Sequence, residues 1–94
     1  MTKQRIKSSG NVYADMGFSH AEAEHLKIRS ELVIAIEKYI AHHHLTQTEA
    51  AKRFGINQPR LSKLLSGHIE LFTIDKLVDM LANVDVKVKL KVAA

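Results

Sequence analysis

Residues 46–67, TQTEAAKRFGINQPRLSKLLSG, constrain the fold of this chain more than any other segment does. Thr46 is followed three residues later by Glu49, which is the spacing of a capping box at the start of a helix. Gly55 lies where a helix would end in a left-handed turn, and Asn57 lies where a second helix would be capped. The segment is therefore predicted to form two short helices joined by a tight turn.

The second predicted helix has one apolar face and one polar face. Pro59 lies in its first turn, where the missing N–H is not needed. Leucines at the spacing i, i+3 and i+4 predict the buried face, and these are Leu61, Leu64 and Leu65. Four side chains that can form hydrogen bonds are predicted to point away from that face: Gln58, Arg60, Ser62 and Lys63.

The chemistry of this polar face suits contacts with duplex DNA. A glutamine can form two hydrogen bonds to adenine and an arginine two to guanine, whereas serine and lysine suit phosphates. A solvated face of an ordinary helical hairpin would also accommodate each of these residues taken singly. Their combination with two capped helices and a tight turn favours a DNA-binding helix-turn-helix, to which Lys52 and Arg53 would add phosphate contacts.

Over roughly residues 45–81 the chain resembles the lambda-repressor-like, XRE-type helix-turn-helix regulators. The matching residues are Gln47, Ala50, Ala51, Gly55, Ile56, Leu61 and Leu64. In that family a glutamine at the start of the first helix of the motif often supports a glutamine at the start of the recognition helix, and the resemblance implies these roles for Gln47 and Gln58. It also implies a mainly α fold, a lambda-repressor-like bundle of about four to five helices, and the function of a transcriptional repressor.

Within that family the chain looks most like the short antitoxin members of toxin–antitoxin operons. Four segments carry this narrower likeness: GNVYADMGF (10–18), LTQTEAAKRFGINQPRLSKLLSG (45–67), FTIDKL (72–77) and VDVKVKL (84–90). The likeness implies a small RelE-like ribonuclease toxin as a partner, and an operon that the chain represses.

The residues themselves offer one feature that suits such a partner. The apolar and acidic segment from Val12 to Leu26 is a surface that DNA does not need, and an acidic patch would suit a basic RNA-cleaving protein. The alternative is that Val12, Tyr13 and Phe18 only complete the core. A repressor without a toxin partner is then the function to consider.

Size and composition favour one small domain. The 94 residues suffice for a single domain, 1–94, which we divide into an N-terminal arm (1–18), a helical helix-turn-helix domain (19–82) and a C-terminal dimerisation strand (84–92). There is no cysteine, so neither a disulfide nor thiolate chemistry is predicted. The absence of a long apolar run and of a signal-peptide pattern leads us to expect a cytoplasmic protein without membrane contact.

The charge of the chain suits a nucleic-acid partner. Lysine and arginine together number 14 against 10 acidic residues, which gives a net charge of +4. Aromatic residues make up 5% of the chain and none alternates with the basic residues, so stacking on single strands is not expected. The basic residues 1–9 either reach DNA or form a loose terminus, and we favour the loose terminus.

A long helix is predicted before the motif. Ser19 and Glu22 have the spacing of another capping box, which begins a helix that extends to about His43. Its predicted core stripe comprises Leu32, Val33, Ile36, Tyr39 and Ile40.

The segments at either end of these helices are less regular. Residues 10–18 are predicted to be either a short strand or an irregular packed segment. After a loop at 68–71, Thr73 is predicted to cap a helix over about 74–82, with Asn83 as a candidate left-handed cap.

The C-terminal segment has the period-two pattern of a half-buried strand. Val86, Val88, Leu90 and Val92 alternate with Lys87, Lys89 and Lys91. A lone strand is not stable, so its partner is the same strand of a second copy, residues 11–16 of the same chain, or a different protein. We favour the homodimer, with the four apolar residues at the interface and the lysines protecting an edge rather than binding phosphates.

Such a homodimer has a consequence for DNA recognition. Two recognition helices related by a two-fold axis would read a pseudo-palindromic operator, with half-sites about 34–36 Å apart. A non-specific architectural DNA protein is a third hypothesis, against which the moderate net charge and the recognition helix argue.

Neither a metal site nor an enzyme is predicted. Residues 42–44 are three consecutive histidines, and consecutive positions on a helix point about 100° apart, so they cannot converge on one ion. The chain has no Gly-rich phosphate loop, HExxH or GxSxG motif, so it offers no catalytic residues and no cofactor site.

Overall fold

Five α-helices and one 3-10 turn form the part of the chain that the computed structural model describes, residues 12–93. They are α1 (Val12–Asp15), α2 (His20–His42), α3 (Gln47–Phe54), α4 (Gln58–Leu65) and α5 (Ile74–Ala82), with the 3-10 turn at Ile69–Leu71. These elements confirm the predicted mainly α bundle. No described helix is long and apolar enough to cross a membrane.

Capping boxes begin α2 and α3, as predicted. The Glu22 N–H donates to Ser19 Oγ at 3.2 Å, and the Ser19 N–H donates to Glu22 Oε1 at 3.1 Å. At α3 the Glu49 N–H donates to Thr46 Oγ1 at 3.1 Å, and the Thr46 N–H donates to Glu49 Oε1 at 2.9 Å. Each box satisfies two backbone donors that the start of a helix would otherwise leave unpaired, so local chemistry fixes where both helices begin.

The two capping glutamates make stability depend on acidic pH. Hydrogen bonds with the side chain and then the backbone of Ser19 lower the pKa of Glu22 from its usual 4.5. Hydrogen bonds with the backbone and then the side chain of Thr46 lower the pKa of Glu49 in the same way. A carboxyl with a lower pKa in the folded state stabilises the fold above its unfolded pKa, and this contribution is lost as the pH falls through the folded pKa.

We therefore expect the Tm to fall as the pH drops below about 4.5, and to fall less steeply in the double variant Glu22→Gln/Glu49→Gln. Thermal melts followed by circular dichroism between about pH 6 and about pH 3 measure this slope. Glu37→Gln is the matched control, because Glu37 is an exposed residue of α2 outside a cap. Equal flattening in the control would contradict this role of the caps.

One apolar core joins α2 to the three later helices. Its buried residues are Leu32, Val33, Ile36, Ala50, Ala51, Phe54, Leu61, Leu64, Phe72, Leu77, Met80 and Leu81. The apolar faces predicted from sequence spacing are these faces, except that Tyr39, Ile40 and Leu65 are half-buried at its margin. Full burial of one large apolar side chain stabilises a fold by about 1.5–3 kcal/mol, so this core outweighs the caps in holding α3 and α4 together.

Of the segment at 10–18, for which a strand or an irregular segment was predicted, the structure describes residues 12–18, and these begin with a helix. Within the described residues, Val12–Asp15 forms α1, and Met16 and Gly17 form a turn. The Tyr13 hydroxyl lies 2.6 Å from Ser30 Oγ and so joins α1 to the middle of α2. A strand pairing of the C-terminal segment with residues 12–15 is therefore wrong, because those residues are helical. Residues 1–11, which include the predicted basic arm, lie outside the described part.

Asn83 is not the left-handed cap that was predicted. Its backbone is right-handed, with φ −63°, and the positive φ of this turn, 61°, belongs to Asp85. The side chain of Asn83 donates instead to the Phe54 carbonyl at 2.8 Å. The residue thus links the end of α5 to the end of α3. This link supports the turn of the motif, which begins directly after Phe54.

Residues 86–93, which we call the tail, have no regular secondary structure in the single chain. The predicted strand is thus not confirmed by one chain, as a strand needs a paired neighbour. Val86 is half-buried, whereas Val88, Leu90 and Val92 are 44%, 82% and 82% exposed. The apolar residues of the tail beyond Val86 are therefore exposed to solvent.

Candidate nucleic-acid interface

The turn between α3 and α4 has the predicted geometry. Gly55 is left-handed, with φ 77°, and both its N–H and that of Ile56 donate to the Ala51 carbonyl, at 2.9 and 3.1 Å. The Asn57 side chain then accepts from the Arg60 N–H at 2.9 Å and caps α4. Two short helices and a glycine turn therefore form a helix-turn-helix, in which α4 occupies the place of the recognition helix.

Gly55 is required both by its backbone and by its surroundings. A Cβ added there would lie 2.8 Å from Asn83 Nδ2, and the left-handed conformation disfavours any residue with a side chain. Gly17 shares the positive φ, at 94°, but a Cβ there would meet no atom within 4 Å.

We therefore expect Gly55→Ala to destabilise the fold more than Gly17→Ala does. Each substitution is expected to lower the free energy of unfolding by about 1–2 kcal/mol, because a residue with a side chain is strained in the left-handed conformation. Displacement of Asn83 adds about 0.5–1.5 kcal/mol at Gly55, since the hydrogen bond of Asn83 to Phe54 is disturbed. Urea unfolding of the two variants measures the difference, and equal losses would show that Asn83 is not displaced.

Gln47 and Gln58 are hydrogen-bonded to each other, as the resemblance implies. Gln58 Nε2 donates to Gln47 Oε1 at 2.8 Å, and the two residues are the first of α3 and α4. Gln47 is exposed and Gln58 is half-buried. This bond restricts the Gln58 amide in the free protein, so less side-chain entropy would be lost if a ligand bound to it.

Arg60 has two contacts that the sequence did not reveal. Its guanidinium carbon lies 4.7 Å from the centre of the Phe72 ring, and one of its NH2 groups donates to the Leu71 carbonyl at 3.3 Å. Phe72 is 1% exposed and precedes Thr73, the cap of α5. No local sequence signal would have indicated this contact, because the residues are 12 positions apart on different elements.

The remaining predicted DNA contacts lie on α3 and on later turns of α4. Lys52 and Arg53 occupy the last turn of α3 and are exposed, and Arg53 Nη1 donates to the Tyr39 hydroxyl at 3.1 Å. On α4, Lys63 is exposed and Ser62 is half-buried. The structure thus places all seven predicted side chains on the two helices of the motif, and holds Gln47, Gln58, Arg53 and Arg60 in hydrogen bonds.

The electrostatics of α3 and α4 favour an anion. The two helices carry four positive side chains, Lys52, Arg53, Arg60 and Lys63, and one acidic residue, Glu49. Glu49 is engaged in its capping box, and the start of α4 carries the partial positive charge of the helix dipole. Among the described residues, no group of three or more potential metal ligands lies close enough to bind an ion.

Comparisons with known proteins agree with this geometry. A family model described as a helix-turn-helix domain matches residues 12–93. A solved structure named as a candidate XRE-family transcriptional regulator aligns with a TM-score of 0.71 and 32% identity, and the alignment covers 78% of this chain and 82% of that chain. A search of curated proteins found no significant match. The chain therefore belongs to the helix-turn-helix family, as a DNA-binding transcriptional regulator of the XRE type.

Proposed function

We propose that this regulator represses transcription by binding a specific pseudo-palindromic operator as a homodimer. The observation that supports this most is the hydrogen bond between Gln47 and Gln58, which fixes a base-reading amide at the start of α4. In the proposed complex, α4 lies in the major groove. Gln58 reads adenine and Arg60 reads guanine, with Ser62 as a third contact. Lys52, Arg53 and Lys63 bind phosphates, which supply affinity but little specificity.

Arg60→Ala is expected to weaken operator binding by about 1–3 kcal/mol and to relax the preference at one base position. An operator selected from random-sequence DNA, and its single-base variants, supply the ligands for fluorescence anisotropy. Lys63→Ala is the control, because loss of a phosphate contact should weaken binding to all sequences alike and reduce the salt dependence by about one charge. If Arg60→Ala also lowered affinity equally for every sequence, its assignment to a base would be wrong.

The homodimer proposal rests on the tail. Within the described chain, the backbone groups of residues 87–93 have no backbone partner, and Leu90 and Val92 are 82% exposed. An antiparallel pairing of two tails about a two-fold axis would satisfy one backbone edge of each and cover the exposed apolar side chains. The same pairing would set the two copies of α4 at a fixed separation.

Disulfide cross-linking tests this pairing directly, because the chain has no cysteine. In an antiparallel pair about a two-fold axis, one position lies opposite its own copy, with Cβ atoms about 4.5–5.5 Å apart. Among Val88→Cys, Lys89→Cys and Leu90→Cys, we expect one variant to cross-link far faster than the others. Val12→Cys, 61% exposed on α1, is the control for random collisions. Cross-linking of all three tail variants at the control rate would contradict the pairing.

In the proposed dimer, the tail of the second copy lies in a groove between α2 and the tail of the first copy. The groove has a volume of about 390 Å³ and is bordered by Ile28 and Leu32 on one side and by residues 88–91 on the other. Ile28→Asp is expected to weaken the dimer in sedimentation experiments. Ile34→Asp is the matched control, since Ile34 is 47% exposed on the same helix but does not border the groove. If Ile28→Asp left the stability of the dimer unchanged, the second tail would lie outside this groove.

A second proposed role, compatible with the first, is that of an antitoxin. Of the residues that would complete the core, Tyr13 is half-buried against α2, whereas Val12 and Phe18 are 61% and 43% exposed. Met16 is 67% exposed, and the exposed Glu22 lies nearby in sequence. An apolar patch with acidic neighbours suits a basic protein such as a RelE-like ribonuclease toxin. The alternative is a repressor that acts without a toxin.

Co-expression with the neighbouring reading frames tests the antitoxin role. If a neighbour arrests growth alone, and this chain restores growth and co-purifies with it, the antitoxin role is supported. Met16→Asp should then abolish the rescue while operator binding is retained, whereas Arg60→Ala should weaken operator binding and leave the rescue intact. If no neighbour arrests growth, the antitoxin role falls and the stand-alone repressor is retained.

A further inference from the structure

Arg60 and Phe72 join the exposed recognition helix to the buried core. The guanidinium carbon of Arg60 lies 4.7 Å above the centre of the Phe72 ring, while the Arg60 backbone N–H is held by the Asn57 cap at 2.9 Å. Phe72 is one of the largest fully buried side chains of the protein. A core residue therefore forms the platform for a side chain on the proposed DNA-binding face.

We propose that Phe72 is a positioning residue for base recognition, because its ring holds the Arg60 guanidinium in the orientation that binds DNA. This inference deepens the proposed function, since it assumes that Arg60 contacts a base. A buried aromatic residue would thereby set part of the sequence specificity, although no DNA atom touches it.

The physical argument begins with the freedom of an arginine side chain. An exposed arginine samples many rotamers, and that freedom is lost when the guanidinium forms two hydrogen bonds to guanine. Contact with an aromatic face holds the guanidinium against the ring and reduces the number of orientations that it samples, while N–H groups away from the ring can still form bidentate bonds. The guanidinium orientation that DNA binding requires is then already favoured in the free protein.

The bond from Arg60 to the Leu71 carbonyl restricts the same side chain a second time. It uses one of the five N–H donors of the guanidinium, at 3.3 Å, and the other four have no hydrogen-bond partner among the described residues. Leu71 ends the 3-10 turn and Phe72 follows it directly, so both contacts come from one short segment between α4 and α5. That segment is closed by its own hydrogen bond, in which the Phe72 N–H donates to the Ile69 carbonyl at 3.1 Å, and the buried Phe72 ring anchors it in the core.

The test uses two identical substitutions in the core. Phe72→Leu removes the aromatic platform and keeps a buried apolar side chain. Phe54→Leu is the matched control, because Phe54 is equally buried and, among the described residues, its ring contacts that of Tyr39 and not an arginine. Both variants are first checked for full folding at the working temperature by circular dichroism.

The measured quantity is the Kd for an operator changed at the base that Arg60 reads, divided by the Kd for the unchanged operator. We expect Phe72→Leu to reduce this ratio by about two- to five-fold, the worth of one exposed cation–π contact, and Phe54→Leu to leave it unchanged. In an Arg60→Ala background, Phe72→Leu should have no further effect on the ratio, because the residue acts through Arg60.

Three possible results would contradict the inference, and they differ in which part of it they contradict. Equal changes in the two leucine variants would overturn the inference and assign Phe72 a structural role alone. A Phe72→Leu effect that persists in the Arg60→Ala background would overturn it as well. If Arg60→Ala itself leaves the ratio unchanged, the proposed base contact of Arg60 fails, and the inference fails with it.

Discussion

The double substitution Leu90→Asp/Val92→Asp is expected to lower affinity for the full operator by about 10²–10⁴-fold. Both side chains are 82% exposed in the single chain, so the helical body should fold unchanged. In the proposed dimer they pack against the second tail, where a buried and unpaired carboxylate is strongly unfavourable. Separation of the protomers leaves each α4 to bind one half-site alone, and the gain from simultaneous binding is lost.

Two measurements check this expectation together. Sedimentation equilibrium gives the oligomeric state, and fluorescence anisotropy gives affinities for a full operator and for an isolated half-site. We expect a monomer whose half-site affinity equals that of the unmodified protein. Replacement of the three tail lysines, Lys87, Lys89 and Lys91, by glutamine is the control, because it changes the tail charge and leaves the apolar face intact. A monomeric variant with unchanged affinity for the full operator would contradict the proposed role of the dimer.

Phe54→Ala is expected to cost about 3–5 kcal/mol of unfolding free energy. Phe54 is 0% exposed, and its ring meets that of Tyr39 edge to face, with centroids 5.4 Å apart. Its carbonyl also accepts the Asn83 hydrogen bond that supports the turn. The cavity left by the ring would lie where α2, α3 and α5 meet, so the loss is a large part of the about 5–15 kcal/mol that stabilises a typical domain.

Thermal and urea unfolding measure this loss. For a domain of this size, each kcal/mol lowers the Tm by about 4–8 °C. Phe18→Ala is the matched control, because it removes the same side chain from a position that is 43% exposed. We expect a much smaller change there, and equal losses for the two variants would contradict the assignment of Phe54 to the core.

The helix-turn-helix could be predicted because its signals are local. Thr46 and Glu49 form their capping box within one turn, and Gly55 and Asn57 act through their own backbone or through the next three residues. Such signals do not depend on the remainder of the fold. The apolar stripes of α2 and α4 were predicted for a related reason, since the period of a helix determines which residues share a face.

The features that were missed depend on distant contacts. The helix α1 spans four residues, which is too short for a periodic pattern, and Tyr13 joins it to Ser30, 17 positions away. Asn83 adopts a right-handed backbone and its amide bonds the Phe54 carbonyl, 29 positions away. Spacing within a segment does not encode contacts of this kind.

The tail illustrates a different limit. Its alternation of valine or leucine with lysine predicts a strand, but the hydrogen bonds that define a strand require a neighbour. In the proposed dimer that neighbour is another molecule. The contact of Arg60 with Phe72 was missed because the proximity of the two residues depends on how the segment after α4 folds back.

Selection of binding sites from random-sequence DNA tests the central claim most directly, namely that α4 reads a specific sequence. The account predicts enrichment of a pseudo-palindrome with half-sites about 34–36 Å apart, bound at least about 10³-fold more tightly than random DNA. It also predicts that Gln58→Ala and Arg60→Ala each relax the selected sequence at one position in each half-site. Equal binding to all sequences, or a selected sequence that neither substitution changes, would contradict it.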